Sequence, residues 1–598
     1  MKKILGVFVL ASAFILSGCS LSQMIKKASE QNLTVTPSPL EMHADTVDFT
    51  MSALLPVNML KKGKVYTLKT TYKYSDKSLA LPDIEFKYED YPNQKTQQPQ
   101  VSRKFSFPYN EEMRRGDLVI QGEASSPNGK SKSTPEMPLA VGVITTSEMV
   151  KDYHYVAYAA HGFSKEPEIQ KINVDFFFQQ GRSNLRRSEL KSDRGNKFDA
   201  YIAEKNLTKT VTIVGNHSPE GSETINTGLS NSRAEVVKKE YIRRMKRYDY
   251  KDMADSINFV LKPIVQDWSM FKKKLAASED FSNDEKIAIN DVIDNGGGAN
   301  FVETEKMLKS KMPKVYKRLF DKIYPDLRVA KTEIIQLIPK KTDEEIAALA
   351  VLIREGSAPT DTLNEEELAY AATLTADLSE KEKLYRAATK ESDSWQSHNN
   401  LGAALLERAK LENDMDAKMK MVDDAITHFD ISLNKKQNPE AYSNKGLAEL
   451  MKSENNYKAL SMFTSGLQAS PSSVLSEGIN AMKGVSEIKV AKYNDAVNSF
   501  ANANEDPVTV YNSALAQLLK KDFGTAKTEF DDAIAADAGN AHAYYGAAVT
   551  AARMGDADNM AKHLAKSIEL DSSLRERAIN DLEFEKYFET DGFKNAIK

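Results

Sequence analysis

The sequence predicts a multidomain protein with an N-terminal β-sandwich, an α+β domain carrying a helical insertion, and an all-α solenoid. Three observations carry this. From Leu33 to about Ile144 apolar residues alternate with polar ones; between Ile172 and Ile338 strand-like and helix-like runs take turns; after residue 345 the strand signal stops and Ala-rich amphipathic segments repeat.

The chain opens on Lys2 and Lys3, an apolar run from Ile4 to Leu16, and the tetrad Leu16-Ser17-Gly18-Cys19, which holds the only cysteine. The run is too short for a stable membrane-spanning helix and has the layout of a secretory signal. It resembles the signal of bacterial lipoproteins. The resemblance implies cleavage after residue 18, a diacylglycerol thioether on Cys19, and a further fatty-acyl chain such as palmitate on the new N-terminus. Two or three chains hold a protein on a bilayer where one holds it only marginally. Ser20, Leu21, Ser22 and Gln23 carry no acidic sorting residue, so the periplasmic face of the outer membrane is the expected location, with residues 19–31 as a tether.

Composition narrows the function classes. With 81 Lys+Arg against 85 Asp+Glu, the net charge of −4 gives no electrostatic case for a nucleic-acid partner. Once Cys19 is acylated no thiol remains for a disulfide, a zinc-cysteine site or a nucleophile.

Residues 32–150 read as the β-sandwich. Val47/Phe49/Met51, Tyr66/Leu68/Thr70/Tyr72/Tyr74, Ile84/Phe86/Tyr88, Phe105/Phe107 and Leu118/Ile120 keep a period of two, broken by Pro, Gly and Asn clusters. Pro127-Asn128-Gly129-Lys130 is expected as a type I′ hairpin turn. Gly129-Lys130-Ser131 is no phosphate loop, because position 124 is Ala124 rather than glycine and the flanks are strands.

Residues 151–345 read as the α+β domain. Strands are expected at 172–178, 210–215 and 334–338, helices near 189–205 and 226–248, and a helical insertion at about 250–320. From 346 to 598 a solenoid is expected. Ala496 and Ala526, and Phe500 and Phe530, are 30 residues apart, while Ala514 and Ala548, and Phe530 and Leu564, are 34 apart. That period, with small residues where helices cross, resembles tetratricopeptide repeats (TPRs). Leu363 to Ser392 supplies one more helix pair, 414–424 reads as an insertion between helices, and Leu582 to Phe588 as a closing helix.

The segment Gly215-Asn216-His217-Ser218-Pro219-Glu220-Gly221-Ser222, followed by Asn226, Leu229-Ser230 and Arg233-Ala234, resembles the core of the OmpA-like peptidoglycan-binding domain. Its Ser-Pro-Glu-Gly phrase is similar to the variant in Bacteroidetes outer-membrane lipoproteins that join such a domain to TPRs. Tyr324 to Ala330 is similar to the arginine-bearing segment that opens the family's last strand. The resemblance implies recognition of a zwitterionic diaminopimelate side chain. Arg233 would face a carboxylate, since a guanidinium forms two parallel charge-assisted bonds. Where the family has an aspartate this chain has Ser218, with Glu220 and Glu223 as the nearest carboxylates; Asn226 and Arg328 complete the candidate peptidoglycan site.

No catalytic set, metal-ligand spacing or cofactor motif is legible. His217-Ser218 lacks a nucleophile elbow, the eight histidines show no metal-type spacing, and the basic run Lys238 to Arg247 reads as a solvated helix face. The expectation is a non-enzymatic periplasmic scaffold linking outer-membrane lipid, peptidoglycan and, through the TPRs, envelope proteins. The alternative is an accessory subunit of an envelope secretion, gliding or nutrient-uptake complex whose OmpA-like domain binds protein. Either way, residues 346–598 are expected to be a removable arm with a free concave face.

Overall fold

A computed structural model describes residues 20–264, 268–295, 300–452 and 456–598; Cys19 and the signal lie outside them. The chain forms two compact units. One combines the chain up to Gly162 with Ala347–Lys598, and the other is Phe163–Ile346. Residues 151–162, expected in the α+β domain, therefore belong to the first unit.

The first unit begins with two sheets. Strands Asn32–Thr36, Leu40–His43, Thr46–Leu54, Gln100–Pro108 and Val143–Ile144 form one; Val65–Tyr74, Lys77–Ala80, Ile84–Lys87, Asp117–Ser125, Ser131–Ser133 and Met137–Val141 form the other. The period of two sends Val47, Phe49, Met51 and Ala53 inward, where they share one core with Tyr66, Leu68, Phe86 and Leu118. Residues expected as a tether instead form helix Ser20–Ala28, which buries Leu21, Met24 and Ala28 in that same core. Their spacing of three and four puts them on one helical face. The turn after Asp117–Ser125 falls where expected, yet only Gly129 has positive φ, at 80°, so it is not the type I′ form.

Beyond residue 360 the helices come in antiparallel pairs. The first members are Glu365–Thr373, Trp395–Leu411, Pro439–Lys452, Ser473–Lys489, Pro507–Leu519 and Ala541–Met554; the second members end with Ala557–Leu570. In three successive pairs a glycine on the first helix lies under a phenylalanine ring of the second: Gly402 under Phe429, Gly446 under Phe463, Gly484 under Phe500. A Cβ at any of them would stand 2.5–2.6 Å from the ring, so the crossing needs a residue without one. This repeated packing builds an array of helix pairs. The expected insertion at 414–424 is instead the first half of a continuous helix, Met415–Lys435, started by Asp414 accepting from the Ala417 N–H. The expected closing helix is a 3₁₀ turn, Leu582–Tyr587, followed by Asp591–Ala596; Phe584 and Phe593 still close the core of the last pair.

The array and the sandwich meet through charge as well as apolar surface. Glu41 receives Lys521 at 3.0 Å and Arg553 at 3.1 Å, and Thr146 donates to Glu583 at 2.6 Å.

The second unit is a four-stranded sheet in the order Glu168–Phe177, Val329–Ile338, Thr208–Gly215, Asn258–Pro263, with Asp193–Ala203 and Glu223–Arg247 packed on it. The last strand of that order lies inside the segment expected to be helical insertion. Inserted helices begin only at Ser269–Ala277 and run to Tyr324–Leu327 around a separate core containing Trp268, Phe271 and Tyr324.

Candidate functional site

The first candidate site is the face formed by the first helices of the pairs, and it is filled by the chain itself. Residues 150–162 have no regular secondary structure and cross the first helices of the pairs. Asn512 accepts from the Lys151 N–H at 2.9 Å and donates to its carbonyl at 2.8 Å. Asn444 does the same to Ala157 at 2.8 and 2.7 Å, and Asn400 to Ala159 at 2.7 and 3.0 Å. A carboxamide offers one acceptor and a donor side by side, so each asparagine satisfies both main-chain groups of one residue, much as a neighbouring strand would. Asn399 adds a bond to the Ala157 carbonyl at 3.1 Å, and Tyr511 one to the Met149 carbonyl at 2.9 Å.

Side chains of this strap fit the array too. Tyr155 lies over Gly478, where a Cβ would be 2.7 Å from the ring. Tyr158 stacks on Tyr385 at 5.7 Å and donates to Glu407 at 2.6 Å. Ala157 and Ala159 are each 4% exposed, so both methyl groups are buried. None of these residues was singled out by the sequence. Their signal was present: asparagine is a poor helix former, yet Asn400, Asn444 and Asn512 recur in the first helices of three pairs, and all three are buried.

The second candidate site is the loop 216–222 in the inserted unit. Ser222 caps helix Glu223–Arg247, and Asn226 folds the loop back by donating to the Glu220 carbonyl at 3.1 Å. Arg233 is 1% exposed. It donates to the carbonyls of Asn216 at 2.7 Å, Arg182 at 3.1 Å and Gln179 at 3.4 Å, and lies over the Phe178 ring. Burial and the nearby Arg328 charge lower its pKa to about 10, against the opposite pull of Glu220. Arg328 pairs with the other loop residues, donating to Ser218 Oγ at 3.1 Å and Glu220 Oε1 at 3.0 Å. The structure thus brings Ser218, Glu220 and Arg328 together and ties Arg233 to backbone, while Glu223 is exposed at the helix start.

The inserted helices close over this loop. Glu305 accepts from Tyr316 at 2.5 Å and from the Gly221 N–H, and burial pushes its carboxyl up. His217 meets Phe301 edge-on, and the space between Asn216, Pro219, Met270 and Phe271 is a cavity of only about 10 Å³. Among the described residues no three His, Cys, Asp or Glu side chains converge as metal ligands.

No protein-family model matches the sequence, and no curated protein matches it. Several solved structures similar to this chain are described as TPR proteins. One is YrrB, described as a TPR protein with an unusual peptide-binding site, 19% identical, covering 34% of this chain and 97% of its own, with a TM-score of 0.28. Another is the C-terminal part of a TPR protein of Cytophaga hutchinsonii, 15% identical over 39% of this chain and 91% of its own, TM-score 0.29. A TPR protein of Parabacteroides merdae is 16% identical over 39% and 97%, TM-score 0.28.

Proposed function

We propose that this protein is a non-enzymatic scaffold lipoprotein of the outer membrane, held by lipid on Cys19 at the periplasmic face, whose helical array and inserted α+β domain engage envelope proteins and the cell wall. The observation that carries the scaffold reading is the asparagine-lined groove, a surface built to hold polypeptide by its main chain. Anchoring rests on Leu16-Ser17-Gly18-Cys19 alone. Cross-linking in intact cells, followed by mass spectrometry of partners and of the mature N-terminus, tests both parts. An unmodified Cys19 in the membrane fraction would remove the anchor, and recovery of no protein partner would remove the scaffold.

A second reading, an accessory subunit of an envelope secretion, gliding or nutrient-uptake complex whose OmpA-like domain binds protein, is favoured by one observation. Arg233 gives its donors to the carbonyls of its own unit, and Arg328 is already paired with Glu220 beneath the inserted helices. Retention on purified sacculi separates the readings: binding supports direct contact with peptidoglycan, and protein partners without sacculus binding support the second.

A further inference from the structure

We infer that the segment from Met149 to His161 is a built-in ligand that keeps the asparagine-lined groove of the array shut, so that the intact protein takes no extended peptide there and does so only when this strap is dislodged. The inference is independent of the anchoring and cell-wall readings.

Three features carry it. The strap is read by main chain at Lys151, Ala157 and Ala159, with both the N–H and the C=O satisfied at each, so these clamps hold any segment whose backbone can reach them. It spans the groove from helix Pro507–Leu519 back to helix Trp395–Leu411, which leaves a second peptide no free clamp along that stretch. It is also covalently held at both ends, by the sandwich before it and by residue 163 onward. Tethering of this kind gives an effective concentration on the order of millimolar, so a free peptide of micromolar affinity is outcompeted by roughly a thousandfold.

The class of peptide that fits follows from the contacts. It is extended, with small residues at two positions that alternate with an aromatic one, as Ala157-Tyr158-Ala159 does: the alanines are 4% exposed and the tyrosine stacks on Tyr385.

The test uses the chain from residue 20 and a fluorescent synthetic peptide of residues 149–162. In one protein Ala157 and Ala159 are replaced by proline (A157P/A159P), which deletes the two N–H donors facing Asn444 and Asn400. The peptide should bind this variant at least 100-fold more tightly than the unaltered chain, and adding Asn400→Ala and Asn444→Ala should remove that gain. Equal binding to both proteins would overturn the inference. So would no binding to a variant whose circular dichroism matches the parent. Hydrogen exchange on the unaltered chain gives a reading that needs no refolded variant. The amides of Lys151, Ala157 and Ala159 should exchange at least 100-fold more slowly than in the free peptide, and Asn444→Ala should release Ala157 selectively; exchange at the free-peptide rate would show an open groove.

Discussion

Arg233 illustrates how a residue type can be legible while its role is not. Its spacing from Asn226 on one helix was visible in the sequence, but the carbonyls of Gln179, Arg182 and Asn216 that consume its donors come from two other segments. Removing a buried donor leaves these acceptors unsatisfied, at about 1–3 kcal/mol each in similar settings. Arg233→Ala should therefore destabilise the inserted unit by about 3 kcal/mol in urea unfolding. A change under 0.5 kcal/mol would show that the side chain is dispensable to the fold, and loss of sacculus binding in a destabilised variant would not identify a ligand contact. His428 gives a second residue-scale prediction. Its ring stacks on His398, with the two Nδ1 atoms 2.9 Å apart, and the Asp393 carboxylate stands 2.8 Å from the other nitrogen of His398. Burial, then the charges of His398 and Arg386, lower its pKa from 6.5 to about 4, against Asp424. A depressed histidine contributes stability that is present above pH 6.5 and lost as pH falls towards 4, because the unfolded chain takes up the proton first. Thermal melting across that window should flatten in His428→Asn; an unchanged slope would place the pH dependence elsewhere.

At the scale of elements, periodicity was readable wherever one face is buried. The strands of the sandwich and the repeat of the array followed from it, since Phe49 and Ala514 face cores that the alternation and the 34-residue period mark. Strand Asn258–Pro263 escaped because it is a short edge strand, paired on one side only, with none of its residues fully buried. The strap escaped for another reason: its backbone partners are side chains 241 to 362 residues away, a pairing that leaves no local pattern. Helix crossings in the array are tight enough to test directly. Ala514 is fully buried in helix Pro507–Leu519, which packs against Phe523–Ala536. Ala514→Leu should cost about 1–3 kcal/mol through overpacking. A stability in urea unfolding unchanged within about 0.3 kcal/mol of the parent would mean that the pair can spread without cost.

For the whole molecule, the expectation of a removable arm fails on particular contacts. Truncation after residue 346 would strip Glu41 of Lys521 and Arg553, Thr146 of Glu583, and the strap of every asparagine clamp. Burial pushes the Glu41 carboxyl up, yet His43 of its own strand, with Lys521 and Arg553 of the array, brings its pKa down to about 2. The same chain layout makes the inserted unit the separable part. It leaves the first unit after Gly162 and rejoins it at Ala347, and its strands and helices build cores of their own. Replacing residues 163–346 by a flexible Gly/Ser linker of about ten residues should therefore leave the sandwich, strap and array folded, with one cooperative unfolding transition. Truncation after residue 346 should instead leave a protein whose strap and Glu41 surface are open to solvent, and whose sandwich melts at a lower temperature than in the excised form. The comparison is made by calorimetry on the two proteins, each starting at residue 20. If the truncated sandwich melts at the higher temperature, the array contributes nothing to it and the two parts of the first unit are independent domains.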